Sequence, residues 1–309
     1  MMPVVASDLA LGIAAACGAS VLYDLSIALQ ALEVREVPRD HSMRPALLVR
    51  LFRNPRWVLA TAVGVLGWPL QVLALTLAPL TVVQPCLALG LFLLLGLGVR
   101  VLHERVGALE IGAVLAITVG VVGISLSAPE HTTAHGSASA LAIGLGGLAL
   151  LTAVPFVLPS LRSGSSVWVV VAAGSGYALS GLTSKLIADG LSAGDVAAIL
   201  GWSAATALAA VVGLLSEMSA IQHRQVTSVA PIVFVVQVAG PVLLAPVLGG
   251  ESWASTPGGG LAIVVSLAVV VAGAFALTRS PAVAGLIAAA EEYAHGDGVQ
   301  PAGSQLGRE

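Results

Sequence analysis

Long apolar segments alternate with short polar connections along most of the chain, and this pattern predicts a bundle of membrane-spanning helices. Each segment is continuously apolar and about 20 residues long, which suits a helix that crosses about 30 Å of hydrocarbon. Transmembrane strands would instead alternate polar with apolar positions. The pattern therefore predicts an all-α polytopic membrane protein with about nine transmembrane helices, at Val4–Leu32, Trp57–Ala78, Val82–Val99, Gly107–Ala128, Ala138–Leu161, Val167–Ala188, Val196–Gln222, Val226–Gly249 and Gly258–Leu277.

The arginines follow the same alternation. The even-numbered connections and the N-terminus contain no arginine. Because basic residues concentrate in cytoplasmic loops, this distribution predicts a plasma-membrane protein with its N-terminus outside and its C-terminus in the cytoplasm. It also supports the count of nine, since a missed or invented span would move some arginines to the other side. The arginines of the odd-numbered connections and the tail are Arg35, Arg39, Arg44, Arg50, Arg53, Arg56, Arg100, Arg105, Arg162, Arg224, Arg279 and Arg308.

Composition points away from a soluble protein, a nucleic-acid binder and the common classes of enzyme. Charged residues make up 9% of the chain and the mean hydropathy is +0.99, whereas a soluble domain is about 25% charged. The net charge is −3 and basic residues cluster only in the loop Glu33–Arg56, so the expected partner is the lipid bilayer and not nucleic acid. The motifs GxxxxGK[ST], HExxH, GxSxG and CxxC are absent, and we expect neither enzymatic activity nor a cofactor.

The N-terminus, the first loop, a histidine pair and the two cysteines each lead to a separate prediction. The N-terminus has no basic region before its apolar run, which predicts a first transmembrane helix and not a removable signal. Within the long first loop, Pro45–Leu51 is too short to span and is expected at the interface. His131 and His135 have the spacing of a metal-binding pair, which is weak evidence in a Ser/Thr-rich linker. Both cysteines, Cys17 and Cys86, are interpreted as small packing residues inside helices.

An internal repeat divides the chain. By position, helix one corresponds to helix six, helices two to four correspond to helices seven to nine, and helix five lies between the units. An odd number of crossings separates the matched helices, so the second unit is expected to be inverted, as in many transporters. The expected boundaries are a first repeat at 1–137, a linking helix at 138–162, a second repeat at 163–280 and a partly disordered cytoplasmic tail at 281–309. The matching positions, at one constant offset, are Gly67 and Gly213, Gln71 and Glu217, Thr81 and Thr227, and Pro85 and Pro231.

Three charged residues inside the apolar segments are candidates for substrate binding or ion coupling, because a charge at the bilayer centre costs at least about 2.5 kcal/mol. Glu217 lies in helix seven, and the alternative is a wet position at the cytoplasmic boundary. Asp24 lies in the inner half of helix one, and the alternative is an interfacial carboxylate bonded to a neighbour. Lys185 is the only lysine. Its long stem reaches the interface easily and Asp189 follows one turn later, which favours a structural ion pair.

Two glutamines and two prolines complete the candidate site. Gln71 occupies the position equivalent to Glu217 and is expected to face it across the pseudo-twofold axis. Gln84 precedes Pro85 and is a candidate for hydrogen bonding to substrate, although contacts between helices are commoner. Pro85 and Pro231 are expected to break their helices and expose backbone carbonyls to a cavity, with simple kinks as the alternative.

The run Gly67–His131 resembles the NIPA-type magnesium transporters and the EamA-like branch of the drug/metabolite transporter superfamily. The resembling features are Ala78-Pro79 at the end of helix two, Gln84-Pro85 at the entry to helix three, Glu104-Arg105 after helix three, and a glycine-bearing helix four that ends in Ala128-Pro129. The second half is similar but looser. The resemblance implies alternating-access transport through a central cavity, and it leaves the substrate open.

These observations lead to one expected function and three alternatives. We expect a secondary transporter that moves a small metabolite across the plasma membrane. The first alternative is a Mg²⁺ transporter in which Glu217 and Asp24 supply the metal ligands, since Mg²⁺ keeps several waters and needs only one or two carboxylates. The others are a flippase for lipids or lipid carriers, and a non-transporting membrane scaffold. A homodimer is an assembly state that the sequence leaves open.

Overall fold

The computed structural model describes residues 6–78, 80–127, 138–248 and 258–279, and most of these residues are helical. The prediction of an all-α membrane protein is confirmed at this level. His131, His135, Asp189 and the tail from Pro281 lie outside the residues or side chains that are described. The α-helices of the described ranges are α1 (Ala6–Arg35), α2 (Pro45–Phe52), α3 (Pro55–Leu77), α4 (Leu80–Arg100), α5 (Ala108–Ser127), α6 (Ala138–Val157), α7 (Val167–Ala193), α8 (Val196–Ile221), α9 (Val226–Leu248) and α10 (Leu261–Thr278).

Five of these helices are long and apolar enough to cross a membrane. Four others, α4, α6, α7 and α9, carry shorter apolar stretches. Each of the nine predicted segments overlaps one helix of 18 to 30 residues within the described ranges. The count of nine spans stays a prediction, as does the orientation of the termini. The five spanning stretches are Leu9–Arg35, Pro55–Ala74, Ala108–Ser127, Val196–Ile221 and Leu261–Thr278.

The prediction that Pro85 and Pro231 break their helices is wrong. α4 and α9 are continuous helices through these two prolines. Both prolines lie about one turn after the start of their helix. A proline there removes a single intrahelical hydrogen bond, and its ring meets only a first-turn carbonyl, which can tilt because no earlier turn constrains it. The two prolines therefore expose no unwound backbone in this structure.

The helices pack in two similar sets. In the first helix set α1 packs against α3 and α4, and in the second helix set α7 packs against α8 and α9. In addition, α5 packs against α10. Small residues permit the closest contacts. A Cβ built on Gly176 of α7 would lie 2.9 Å from the Cα of Gly213 on α8, a close approach of backbones that is common between membrane helices. Gly176 and Gly213 therefore mark a close contact between α7 and α8.

Four connections meet at one end of the bundle, which we call the arginine-bearing end. They are the loops α1–α3, α4–α5, α6–α7 and α8–α9, and side chain–backbone hydrogen bonds join them to one another. α10 runs antiparallel to α5, because Gly273 contacts Ala113 whereas Gly120 contacts Ser266. Arg279 at the end of α10 therefore lies at the same end. Every arginine of the described ranges belongs to this end of the bundle.

Candidate functional site

Two tyrosines make matching hydrogen bonds in the two helix sets. On α1, the hydroxyl of Tyr23 donates to Oε1 of Gln71 on α3 at 2.8 Å. On α7, the hydroxyl of Tyr177 donates to Oε2 of Glu217 on α8 at 2.6 Å. Each pair thus joins the first two long helices of its set through the position at which the sequence repeat aligns a glutamine with a glutamate.

The backbone beneath the two tyrosines also matches. A Cβ built on Gly67 would lie 3.2 Å from the carbonyl oxygen of Ala19, and one built on Gly213 would lie 3.2 Å from that of Ala173. The same two added Cβ atoms would also press against the rings of Tyr23 and Tyr177. Because each glycine has no side chain, the tyrosine ring packs directly on it. The tyrosine hydroxyl then reaches Gln71 or Glu217, which lies one turn after the glycine on the same helix.

Sequence reasoning singled out Gln71, Glu217 and the two glycines but missed the tyrosines. A signal was present, because the interval from Tyr23 to Tyr177 equals the interval from Ala19 to Ala173. The two acceptors were expected to face each other across an axis. The structure instead bonds each of them to the tyrosine of its own helix set.

The two pairs differ in charge and in burial. Glu217 is 6% exposed although it lies only four residues before the end of α8, so it occupies a dry position and not a wet boundary. Gln71 is half-buried. Among the described residues Glu217 takes part in no ion pair, and Tyr177 is its hydrogen-bond donor. A buried carboxylate with one neutral donor has room to accept a proton or a cation.

Asp24 forms a second buried carboxylate site between α1 and α4. It is 9% exposed, and Oγ of Ser20 lies 3.3 Å from its Oδ2 and 3.1 Å from the carbonyl oxygen of Leu87. Gly90 of α4 faces this pair, and a Cβ added there would collide with both side chains. Asp24 lies eleven residues from the end of α1 at Arg35, or about 16 Å along the helix. This depth separates it from the arginine-bearing end.

The two buried carboxylates have different hydrogen-bond partners on different helices. Asp24 belongs to the contact between α1 and α4, whereas Glu217 belongs to the contact between α7 and α8. The described residues contain no group of three His, Cys, Asp or Glu side chains that could hold a metal ion. The side chains of Gln84 and Lys185 lie outside the described residues.

A cavity of about 490 Å³ lies elsewhere, between α5 and α10 at the end opposite the arginines. Neither Asp24 nor Glu217 lines it. Two serines interrupt an otherwise apolar and glycine-rich lining, which offers little to fix a polar substrate. The lining residues are Gly123, Leu126, Ser127, Gly258, Leu261, Ala262, Val265 and Ser266.

Glu104, which follows α4, connects two loops at the arginine-bearing end with the start of α9. Its carboxylate pairs with Arg35 at the end of α1. It also accepts hydrogen bonds from the backbone nitrogens of Val226 and Thr227 at 2.8 and 3.0 Å, and from the Thr227 hydroxyl at 2.7 Å. The carboxylate thereby caps the N-terminus of α9, where unpaired N–H groups favour a negative charge.

Met43 connects the long first loop to the second helix set. Its side chain is 1% exposed, and its backbone has φ 56, a left-handed conformation that is rare outside glycine, asparagine and aspartate. Its N–H donates to Oγ of Ser219 on α8, and its carbonyl oxygen accepts from Arg162, each at 2.8 Å. Gln222 adds bonds from its Nε2 to the carbonyl oxygens of Val34 and Val37. This end is closed by bonds between the two helix sets.

The two cysteines meet although they lie far apart in the sequence. The side chains of Cys17 on α1 and Cys86 on α4 lie close enough to interact, and both thiols are free. They belong to the same two helices as Ser20 and Gly90. The interpretation of the cysteines as packing residues did not foresee that the two are neighbours.

Comparison with protein-family models, curated proteins and solved structures finds no match to this chain. The resemblance to the drug/metabolite transporter superfamily consequently rests on the motifs of the chain itself.

Proposed function

We propose that this chain is a secondary transporter of the drug/metabolite type, which moves a small metabolite across the plasma membrane by alternating access. The observation that carries the proposal is the pair of matched contacts, Tyr23 with Gln71 and Tyr177 with Glu217. Gln71 lies six residues before the end of α3, away from the arginines, and Glu217 lies four residues before the end of α8, towards them. Equivalent contacts at opposite depths are what an inverted repeat requires.

Helix packing supports an inverted repeat of α1, α3, α4 and α5 with α7, α8, α9 and α10. In each unit the first helix packs against the second and the third. Gly120 of α5 contacts Ser266 of α10, and the interval between these two positions equals that between Gly67 and Gly213. Two equivalent residues meet each other only at a twofold axis, so the proposed axis passes between α5 and α10.

The closed arginine-bearing end supports alternating access. Its closure depends on an ion pair and on hydrogen bonds between separate loops, and none of these interactions is covalent. Such contacts can exchange for contacts at the other end at modest cost, because each contributes about 1 kcal/mol net. Glu217 is buried behind this closed end, and it would gain access to water when the end opens.

The Mg²⁺ alternative has less support from the geometry. Asp24 and Glu217 belong to different helix contacts, and a cation site made from both would need them on one side of a shared cavity. The flippase and scaffold alternatives predict different results in a transport assay.

Currents across a solid-supported membrane that carries proteoliposomes test the proposal. The samples are the wild type and Glu217→Gln, challenged with amino acids, nucleosides, hexoses and MgCl₂, with and without a pH gradient. We expect a current with one organic class, and at least a tenfold loss in Glu217→Gln. Tyr23→Phe, which alters the half-buried equivalent contact, is the matched control and should retain most of the current.

Other results would redirect the assignment. A current with MgCl₂ alone that Glu217→Gln abolishes would replace the metabolite by Mg²⁺. Movement of a fluorescent phospholipid between leaflets, without any current, would favour the flippase. Folded protein that is inactive in every assay would contradict transport and favour the scaffold.

A further inference from the structure

The short helix α2 presents three different stripes around its axis. At 100° per residue, Leu47, Leu48 and Leu51 fall on one stripe, which is buried against the bundle. Val49 and Phe52 form the next stripe and are 54% and 58% exposed. The third stripe carries Arg50 together with Arg53, the C-cap residue, and both side chains are exposed. An apolar exposed stripe thus lies directly beside a cationic one.

The charged residues of α2 and its immediate flanks, from Arg44 to Arg56, are all basic. Arg44, Arg50, Arg53 and Arg56 lie within 13 residues, and the chain contains no acidic residue between Asp40 and Glu104. Nη1 of Arg50 lies 2.8 Å from Nε2 of His41. Neither Arg44, Arg53 nor Arg56 takes part in an ion pair among the described residues. Two carboxylates precede α2: Glu33 accepts a hydrogen bond from Asn54, and Oδ1 of Asp40 lies 4.0 Å from Nε2 of the same His41.

We propose that α2 binds anionic phospholipids, with the arginines on the headgroup phosphate and Val49 and Phe52 in the outer part of the acyl layer. The inference is independent of the transport proposal, since it needs only the membrane. An amphipathic helix at the interface buries its apolar face at the boundary between headgroups and acyl chains. Guanidinium groups bind phosphate oxygens in pairs, and each basic residue close to an anionic surface strengthens attachment about fivefold.

The neighbouring structure favours a lipid over a protein or a nucleic acid. Phe52 lies three residues before Pro55, where the apolar span of α3 begins, so a second protein would have to cover it at the edge of that span. Nucleic acid would satisfy the arginines and leave Val49 and Phe52 in water. A phospholipid satisfies both stripes at once, because its phosphate and its acyl chains are covalently joined and lie at adjacent depths.

The position of α2 gives lipid binding a structural consequence. Met43 lies two residues before Pro45, the first residue of α2, and is held between Ser219 and Arg162. A lipid that holds α2 at the interface therefore also holds the segment that closes the arginine-bearing end. Anionic lipid should stabilise this end selectively.

Native mass spectrometry of the full chain in detergent tests the proposal, with dioleoylphosphatidylglycerol and dioleoylphosphatidylcholine as probes. The double variant Arg50→Gln/Arg53→Gln is compared with Arg100→Gln/Arg105→Gln, which removes two exposed arginines from the end of α4 and the loop that follows it, at the same end of the bundle. We expect the first variant to lose about 30-fold in its binding constant for the glycerol lipid, at about fivefold for each arginine. The control should lose less than fivefold, and choline-lipid binding should change little in both.

Hydrogen exchange in nanodiscs localises the effect and covers the case of a misfolded variant. In the wild type, replacing part of the choline lipid by the glycerol lipid should slow exchange in Pro45–Arg53 and leave α6 unchanged. Equal losses in the two double variants, or no change of exchange in α2, would overturn the proposal. Displacement of the lipid by excess inorganic phosphate would also overturn it, because a free anion site would need no acyl contact.

Discussion

The hydroxyl of Tyr177 donates a 2.6 Å hydrogen bond to the buried carboxylate of Glu217. The equivalent bond in the other helix set ends on an amide, Gln71, which cannot ionise. The architecture is therefore nearly symmetric, whereas the chemistry is not. If the two ends of the protein open alternately, only one of the two equivalent positions can exchange a proton or a cation with its surroundings.

Removing each tyrosine hydroxyl in turn should lower the free energy of unfolding by a different amount. Tyr177→Phe leaves Oε2 of Glu217 buried without its donor, and we expect it to lower the free energy of unfolding by about 2 kcal/mol. Tyr23→Phe leaves Gln71 half-buried and able to reach water, so its loss should stay below about 1 kcal/mol. Unfolding in mixed micelles with increasing dodecyl sulfate measures both. Equal losses would contradict the difference in burial.

The backbone N–H of Met43 depends on Ser219 of α8 for its hydrogen bond, and Ser216 of the same helix provides a matched comparison. Both are fully buried, and each donates to a carbonyl one turn earlier in its own helix. Only Ser219 also accepts the N–H of Met43. Ser219→Ala should cost about 2 kcal/mol because a buried backbone N–H loses its partner, whereas Ser216→Ala should cost about 0.5 kcal/mol. The same titration with dodecyl sulfate applies, and a loss for Ser216→Ala as large as that for Ser219→Ala would count against the role of Met43.

Glu104 is expected to be the most sensitive acidic residue at the arginine-bearing end. Glu104→Ala removes the partner of Arg35 and three hydrogen bonds to the start of α9. We expect a loss of about 3 kcal/mol, because buried donors and a partly buried guanidinium remain unpaired. Glu36→Ala, at an exposed position, should change stability by less than about 0.5 kcal/mol. Accelerated hydrogen exchange confined to the first turn of α9 would identify the lost cap.

Acid should loosen the same end through His223, in the loop between α8 and α9. Burial lowers the pKa of His223 from its usual 6.5, and the charge of Arg39 lowers it further, while a hydrogen bond to the carbonyl of Ser219 acts in the opposite direction. The unfolded chain then binds a proton at a higher pH than the folded protein does. Stability should therefore fall as the pH drops below about 6.5, and level off below the folded-state pKa.

The variant His223→Gln isolates this contribution, because the glutamine amide can still donate to the carbonyl of Ser219 but does not titrate. The difference in apparent melting temperature between wild type and variant should be constant above pH 7. In acid, the melting temperature of the wild type should fall relative to that of the variant. A difference that stays constant down to pH 5 would rule out a contribution from His223.

The fold was predictable where the signal is local. Continuous apolar length predicted the helices, and the distribution of arginine predicted that their loops share one end, because both depend on the water–lipid boundary and not on partners. The breaks at Pro85 and Pro231 were predicted wrongly, because a proline near a helix start disturbs much less backbone than one in the middle.

The site was only partly predictable. The repeat drew attention to Gln71 and Glu217, but the tyrosines that bind them lie on other helices. The role of Glu104 was missed for the same reason, since its partners at Val226 and Thr227 are 122 and 123 positions away in the chain. A single sequence records periodicity along one helix, whereas a hydrogen bond between distant segments leaves no periodic trace.

The cap that Glu104 forms also constrains how the protein is made. A ribosome adds about 5 to 20 residues per second, so Glu104 is synthesised roughly ten seconds before Val226. During that interval the carboxylate has Arg35 but not the helix start that it caps in the finished protein. We therefore expect the first unit to be incompletely stabilised during that interval. A gene split between Ser127 and Ala138 should yield two fragments that are each degraded when expressed alone and that survive when expressed together.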